Sequence, residues 1–253
     1  MTQDMIERLM EIEAGVRYSQ PPGPGESPFV VVRRNSAVIL SAPHGAVTYR
    51  GNDKEEWHAE DEYTAGMALL LSELCGTSAV ATTRLTSDSD PNEHDEMRSP
   101  YKQALRKLAA ETGARWVLDL HGAGLDYPGL AETQAVDLGV GAQVRYLPQP
   151  VYDEFVRTLE RNLWPGAADR QGHKGFPAKY RHRIAAFAHL ELGLGAVQVE
   201  MKPTVRMPIR RLASDKTFRP RNPAFVPSPA RVRDMLRALA EFIGFLEEYQ
   251  GEG

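Results

Sequence analysis

Trp116-Val117-Leu118-Asp119-Leu120-His121-Gly122 is the stretch whose reading decides the fold. From Trp116 to Leu120 the run is compact and apolar, broken only by Asp119, as expected of a strand buried in the middle of a sheet. It then finishes on a histidine and a glycine. The glycine lets the chain turn sharply, which leaves the imidazole at the strand tip. Working outward, the same design recurs upstream in Ala37-Val38-Ile39-Leu40-Ser41-Ala42-Pro43-His44-Gly45. Downstream, Ala196-Val197-Gln198-Val199-Glu200-Met201 is a third β-type run that ends beside a carboxylate.

The segments between these runs keep helical or strand spacing. Tyr63, Met67, Leu70, Leu71 and Leu74 fall on one face of a helix over about 61–75. A helix over 100–111 turns Leu105 and Leu108 inward and stops at Gly113. Residues 151–163 form another helix, and 230–249 read as a long amphipathic C-terminal helix. Further β-type runs are 29–33, split from 37–42 by a turn at Asn35-Ser36, together with 78–83 and 134–138. Residues 1–28 are a short N-terminal helix followed by a Pro/Gly linker. Strands alternating with helices predict a three-layer α/β/α single domain over 1–253 with a mixed, largely parallel central sheet. In such sheets the site lies beyond the carboxyl ends of the strands.

Composition narrows the function. With 253 residues, 42% hydrophobic and 25% charged, the chain can bury a full core. A net charge of −4 argues against a nucleic-acid partner. Lys and Arg are dispersed except in a denser stretch over 206–221, which reads as a solvated loop or as an attractor of acidic substrate. The single cysteine, Cys75, excludes an intrachain disulfide and any thiolate cluster, fits a reducing compartment and reads as a packing residue. The first residues carry Asp4, Glu7, Glu11 and Glu13 without an apolar signal region, and no apolar run is long enough to cross a bilayer. These features predict a cytoplasmic protein with no membrane partner.

Two strand-terminal histidines in a shared place suggest a metal centre, against the alternative of two satisfied structural histidines. Two imidazoles and a carboxylate, with water in a fourth position, form a common catalytic zinc set. The carboxylate should come from the chain after His44, where Glu60 and Asp61 are the candidates. Helical phase favours Glu60, over Thr64, Met67 and Leu71, and leaves Asp61 as a plain N-cap. His58 reads as a surface residue or as support for a ligand. Glu200, a carboxylate inside an apolar run, suits the role of general base and general acid, with a buried ion pair to Arg206 as its alternative. Asp119 shares a strand face with His121 and could orient a histidine. Arg84, Asn92 and Arg206 are candidates to hold a substrate carboxylate or amide. The segment 169–183, rich in glycine and basic residues, reads as a lid.

These motifs resemble the N-formylglutamate amidohydrolase family, within the zinc-carboxypeptidase-like group of phosphorylase/hydrolase folds. The matching residues are Ser41-Ala42-Pro43-His44-Gly45, Glu60-Asp61-Glu62-Tyr63-Thr64, Asp119-Leu120-His121-Gly122 and Val197-Gln198-Val199-Glu200-Met201, over about 37–210. The resemblance implies one Zn2+ ion per chain held by His44, Asp61 and His121, with Glu200 as the catalytic carboxylate. It moves the third ligand from Glu60 to Asp61. The family's aspartate-asparagine-arginine signature is partly kept: Asp88, Asp90 and Asn92 are present, and Glu93 stands in the arginine's place. The implied activity is hydrolysis of the C–N amide bond of a small acidic N-acyl amino acid. Poly-γ-glutamate hydrolases are similar in the same motifs, so a γ-glutamyl substrate or a more distant metallopeptidase are the enzymatic alternatives. A metal- or ligand-binding module without turnover is the alternative from another class.

Overall fold

Alternation along the strands sets the layers, because successive side chains of a strand face opposite sides of its sheet. The computed structural model describes residues 4–50, 57–87, 90–125, 130–141, 144–169, 181–209 and 225–250. Its strands are β1 (Phe29–Val32), β2 (Val38–Ala42), β3 (Thr48–Tyr49), β4 (Trp57–His58), β5 (Ser78–Thr82), β6 (Trp116–Gly122), β7 (Val136–Gly139) and β8 (Gly195–Met201). In β2, Val38, Leu40 and Ala42 enter one apolar core and Ile39 the other. In β6, Trp116, Leu118 and Leu120 enter the first core and Val117 the second. Two cores, one per face, give the three layers predicted from the sequence.

The six-stranded sheet has the order β1-β5-β2-β6-β8-β7. β5, β2, β6 and β8 run parallel, and β1 and β7 add antiparallel edges. The helices are α1 (Met5–Ala14), α2 (Thr64–Cys75), α3 (Pro100–Thr112), α4 (Gln149–Asn162), α5 (Ile184–Leu192), α6 (Pro203–Arg206) and α7 (Pro229–Glu248). Residues of α1, α2, α4 and α7 fill the first core, and those of α3 and α5 the second. The Cys75 side chain packs against the first core, and burial raises its thiol pKa. Among the described residues no helix is long and apolar enough to cross a membrane.

The runs 29–33 and 37–42, separated by the turn at Asn35-Ser36, are not neighbours in the sheet, because β5 lies between them and pairs with both. The structure departs from the sequence reading at two helices. α5 has no counterpart in the sequence reading. Its residues Ile184-Ala185-Ala186-Phe187-Ala188 are buried all together, so it lacks the amphipathic stripe by which a helix is recognised. The helix expected from 61 begins at Thr64, because Tyr63 takes a left-handed φ of 69°.

The start of α2 is capped from elsewhere. The N-cap residue Tyr63 makes no side-chain cap bond. Instead Glu13, in the last turn of α1, accepts from Tyr63 N at 2.7 Å and from Gly66 N at 3.0 Å, and takes the Tyr18 hydroxyl as well. A buried carboxylate is tolerated because three donors meet it. Removing it leaves two buried amides unsatisfied at a helix N-terminus. Glu13→Ala is therefore expected to lower the unfolding free energy by about 3 kcal/mol in a urea titration. A loss within the range of an ordinary surface substitution would show that α2 is capped by something else.

Candidate active site

Strands β2, β6 and β8 are neighbours in the sheet, and their carboxyl ends bring His44, His121 and Glu200 to one edge. His121 and Glu200 are direct partners in the β6–β8 register. His44 lies two residues beyond β2, followed by Gly45. A Cβ on Gly45 would stand 2.4 Å from Thr82 O and 2.5 Å from Ala65 Cβ. Only glycine fits where the chain leaves His44 between β5 and α2.

Asp61 completes the group. Its backbone N–H donates to His44 O at 2.7 Å, and its Oδ2 lies 3.6 Å from His44 Nδ1 and 3.3 Å from His121 Nδ1. All three residues are buried, and one ligand atom from each lies within 4.8 Å of the others. Donors bonded at about 2.1 Å to a tetrahedral zinc stand about 3.4 Å apart. The donor types and spacing therefore fit a metal ion. Asp61, not Glu60, occupies this position, and because Glu13 caps α2 its carboxylate is not needed as a cap.

The outer nitrogens are held by carboxylates. His44 Nε2 lies 2.9 Å from Asp90 Oδ1, and His121 Nε2 lies 2.9 Å from Asp119 Oδ2. Such bonds place the proton on Nε2 and leave Nδ1 as the ligand atom. Asn92 Nδ2 also approaches His121 Nε2 at 3.3 Å, while its Oδ1 accepts from Ile184 N at 2.9 Å. Burial works against charge on both imidazoles, yet Asp90 with Asp61 for His44, and Asp119 with Asp61 for His121, together outweigh it and raise their pKa values. Burial likewise opposes charge on Asp61, and its hydrogen bonds to His121 and His44 hold it well below the usual carboxylate range.

Glu200 behaves in the opposite way. Burial pushes its carboxyl up to about 7, Asp61 adds to the rise, and His121 and the hydrogen bond from Gln198 only partly offset it. Gln198 Nε2 donates to Glu200 Oε1 at 2.6 Å and fixes its orientation. A cavity of about 300 Å³ opens over the group, lined among others by Arg50, His58, Asn92, Arg183 and Glu200. The His58 ring stacks on His44 with centroids 4.1 Å apart.

Of the sequence-predicted substrate residues, the structure brings Asn92 to this cavity but neither Arg84 nor Arg206. Arg84 pairs with Glu26 at 3.4 Å, next to the linker. Arg206 is buried beneath Gly122, where a Cβ would meet its guanidinium at 2.8 Å, and donates to the carbonyls of Met201 and Glu62. Nor does it pair with Glu200 among the described contacts. Two other guanidiniums line the cavity: Arg50, 3.2 Å from Asp90, and Arg183, 3.2 Å from Glu93. Arg183 lies far from either histidine in sequence, and Arg50, six residues beyond His44, stands in no pattern that marks it. Most of the expected lid (170–180), the basic stretch beyond 209 and Asp88 lie outside the described residues.

The chain matches no family model, and no curated protein matches it. Solved structures do share its architecture. An N-formylglutamate amidohydrolase from Ralstonia eutropha superposes with a TM-score of 0.52 at 16% identity, covering 87% of this chain and 99% of that one. A gene product from Agrobacterium tumefaciens superposes with a TM-score of 0.56 at 13% identity, covering 91% and 98%. At these identities the likeness is one of fold: this chain has the α/β fold of the N-formylglutamate amidohydrolase over nearly the whole length of both.

Proposed function

We propose that this chain is a zinc-dependent hydrolase that cleaves the C–N amide bond of a small, acidic N-acyl amino acid. The observation that carries the reading is a buried His44–Asp61–His121 group with Glu200 in register beside it. His44 and His121, through Nδ1, and Asp61 would hold one zinc ion. When bound, zinc polarises a scissile carbonyl and makes hydroxide available near neutral pH.

Glu200 is placed to move the protons. As a carboxylate it takes one from the attacking water, and it returns that proton to the departing amine nitrogen as the C–N bond breaks. A group that both accepts and donates near neutrality works best with a pKa close to 7, which is where burial holds Glu200 in the metal-free chain. Gln198 holds one carboxyl oxygen, so the other faces the reaction. Arg50 and Arg183 supply positive charge to the cavity wall, and Asn92 adds an amide donor fixed by the Ile184 backbone. A cavity of about 300 Å³ suits a small substrate, at the lower end of the range for enzyme pockets. The amidohydrolase of the same fold is named for N-formylglutamate, which is such a substrate.

The direct test is a panel of N-formyl, N-acetyl and γ-glutamyl substrates with zinc supplied, run on the wild type and on Glu200→Gln. The variant should keep its zinc and lose about 10³-fold in kcat. Full activity in the variant removes Glu200 from the mechanism. Activity confined to long polymers overturns the small-substrate reading, and zinc binding with no turnover of any substrate favours a binding module.

The raised Glu200 pKa also predicts a stability change in metal-free protein. Between its usual 4.5 and about 7, the folded chain keeps a proton that the unfolded chain releases. Its stabilising contribution is thus complete below 4.5 and is lost as pH rises towards 7. Relative to Glu200→Gln, wild-type unfolding free energy should fall by about 3 kcal/mol across that window. Parallel curves for the two proteins would show that Glu200 ionises normally.

A further inference from the structure

Lys102, in the first turn of α3, is 1% exposed. Among the described residues its Nζ makes no ion pair, and it donates instead to the backbone carbonyls of His94 and His182. A buried ammonium with no carboxylate in ion-pair contact is unfavourable; burial pulls its pKa down to about 8, and the charges of Asp90, Asp95 and Asp119 only partly offset that, so it still carries charge at neutral pH. Such a group needs a structural reason to be kept.

The two carbonyls belong to the two walls of the cavity. His94 ends the turn that opens at Asp90, whose O accepts from Glu93 N at 3.1 Å and His94 N at 3.2 Å. That turn sets Asp90 against His44 and Asn92 against His121. His182 precedes Arg183, which lines the cavity, and Ile184, whose N–H meets Asn92 Oδ1. Arg183 and Glu93 join the same two segments a second time.

We infer that Lys102 is a positioning residue, whose ammonium ties the turn 90–94 to the segment 182–184 and so fixes the His44 imidazole through Asp90. The inference rests on the metal-centre reading for its zinc measurement but not for its backbone measurement. A second cavity of about 360 Å³ is lined by Lys102, Asp95, His182 and Phe187 among others, and the ammonium lies 5.5 Å from the centre of the Phe187 ring. A small amine can therefore enter the space left by a truncated side chain.

The test uses the full chain as Lys102→Met and Lys102→Ala, followed by hydrogen exchange and by zinc affinity against a chromophoric chelator. Both variants should stay folded, with exchange accelerated at 92–94 and 182–187 and unchanged in α4 and α7. Zinc affinity should fall about tenfold, as when other groups that orient metal-bound histidines are lost. Propylammonium should restore slow exchange and zinc affinity to Lys102→Ala. Tetramethylammonium, which has no N–H to donate, should not. Unchanged exchange in the two segments, equal loosening of α4 and α7, loss of the fold in both variants, unaltered zinc affinity, or rescue by both amines would each overturn the assignment. If the wild type takes up no zinc, the metal reading falls. The exchange data and the imidazole NMR shifts of His44 and His121 then decide the role of Lys102.

Discussion

Asp61 Oδ2 stands between the Nδ1 atoms of two histidines in a place nearly closed to water, and the rest of the structure accommodates that arrangement. With each Nε2 bonded to Asp90 or Asp119, both imidazoles aim a nitrogen lone pair at the carboxylate. Two lone pairs and an anion converging on one point repel unless positive charge lies among them. Without a metal, protons supply it, which is the physical content of the raised histidines and the depressed Asp61. A dication that displaces those protons meets a donor set already oriented, with its tautomers fixed.

That arrangement depends on freeing Asp61. An aspartate just ahead of a helix usually caps it, because the first amides have no partners. Here Glu13 reaches across from α1 and accepts from Tyr63 N and Gly66 N. The left-handed turn at Tyr63 separates Asp61 from the helix it precedes. A helix near the amino terminus thus serves the centre without approaching it. The geometry of the centre and the stability of α2 meet in this one exchange of caps.

How far the sequence discloses this varies with the range of the interaction. The strands, the three-layer arrangement and the placing of His44, His121 and Glu200 at one sheet edge follow from local alternation and from glycine after histidine. Asp119 was legible because two residues along a strand return to the same face. Helical phase alone pointed to Glu60, since phase carries no information about what caps α2. Arg50, Arg183 and the Asp90–His44 contact join segments tens of residues apart, and no periodicity links them. Arg206 reads as an anion clamp from the match of a guanidinium to a carboxylate, but α6 turns it under Gly122. α5 was not legible because its first five residues are all buried and apolar, so no polar stripe marks the helix.

The two faces of the sheet also divide the work. On the α7 side the core is apolar, with Phe155 stacked on Phe242 at 3.9 Å. On the α3 side polar groups run inward from two consecutive residues. The Tyr101 hydroxyl donates to Val80 O at 2.6 Å and lies 2.9 Å from Ser41 Oγ, which donates to Asp119 at 2.8 Å. Asp119 in turn holds His121. Lys102, the next residue, secures the turn that bears Asp90 and Asn92. Hydrogen bonds are directional and apolar contacts are not, so the orientation of the imidazoles is set from the α3 side. Apart from the Glu13 cap that frees Asp61, the α7 side supplies bulk burial, which is indifferent to the angle of an imidazole. A single helix start therefore governs His121 through Asp119 and His44 through the 90–94 turn.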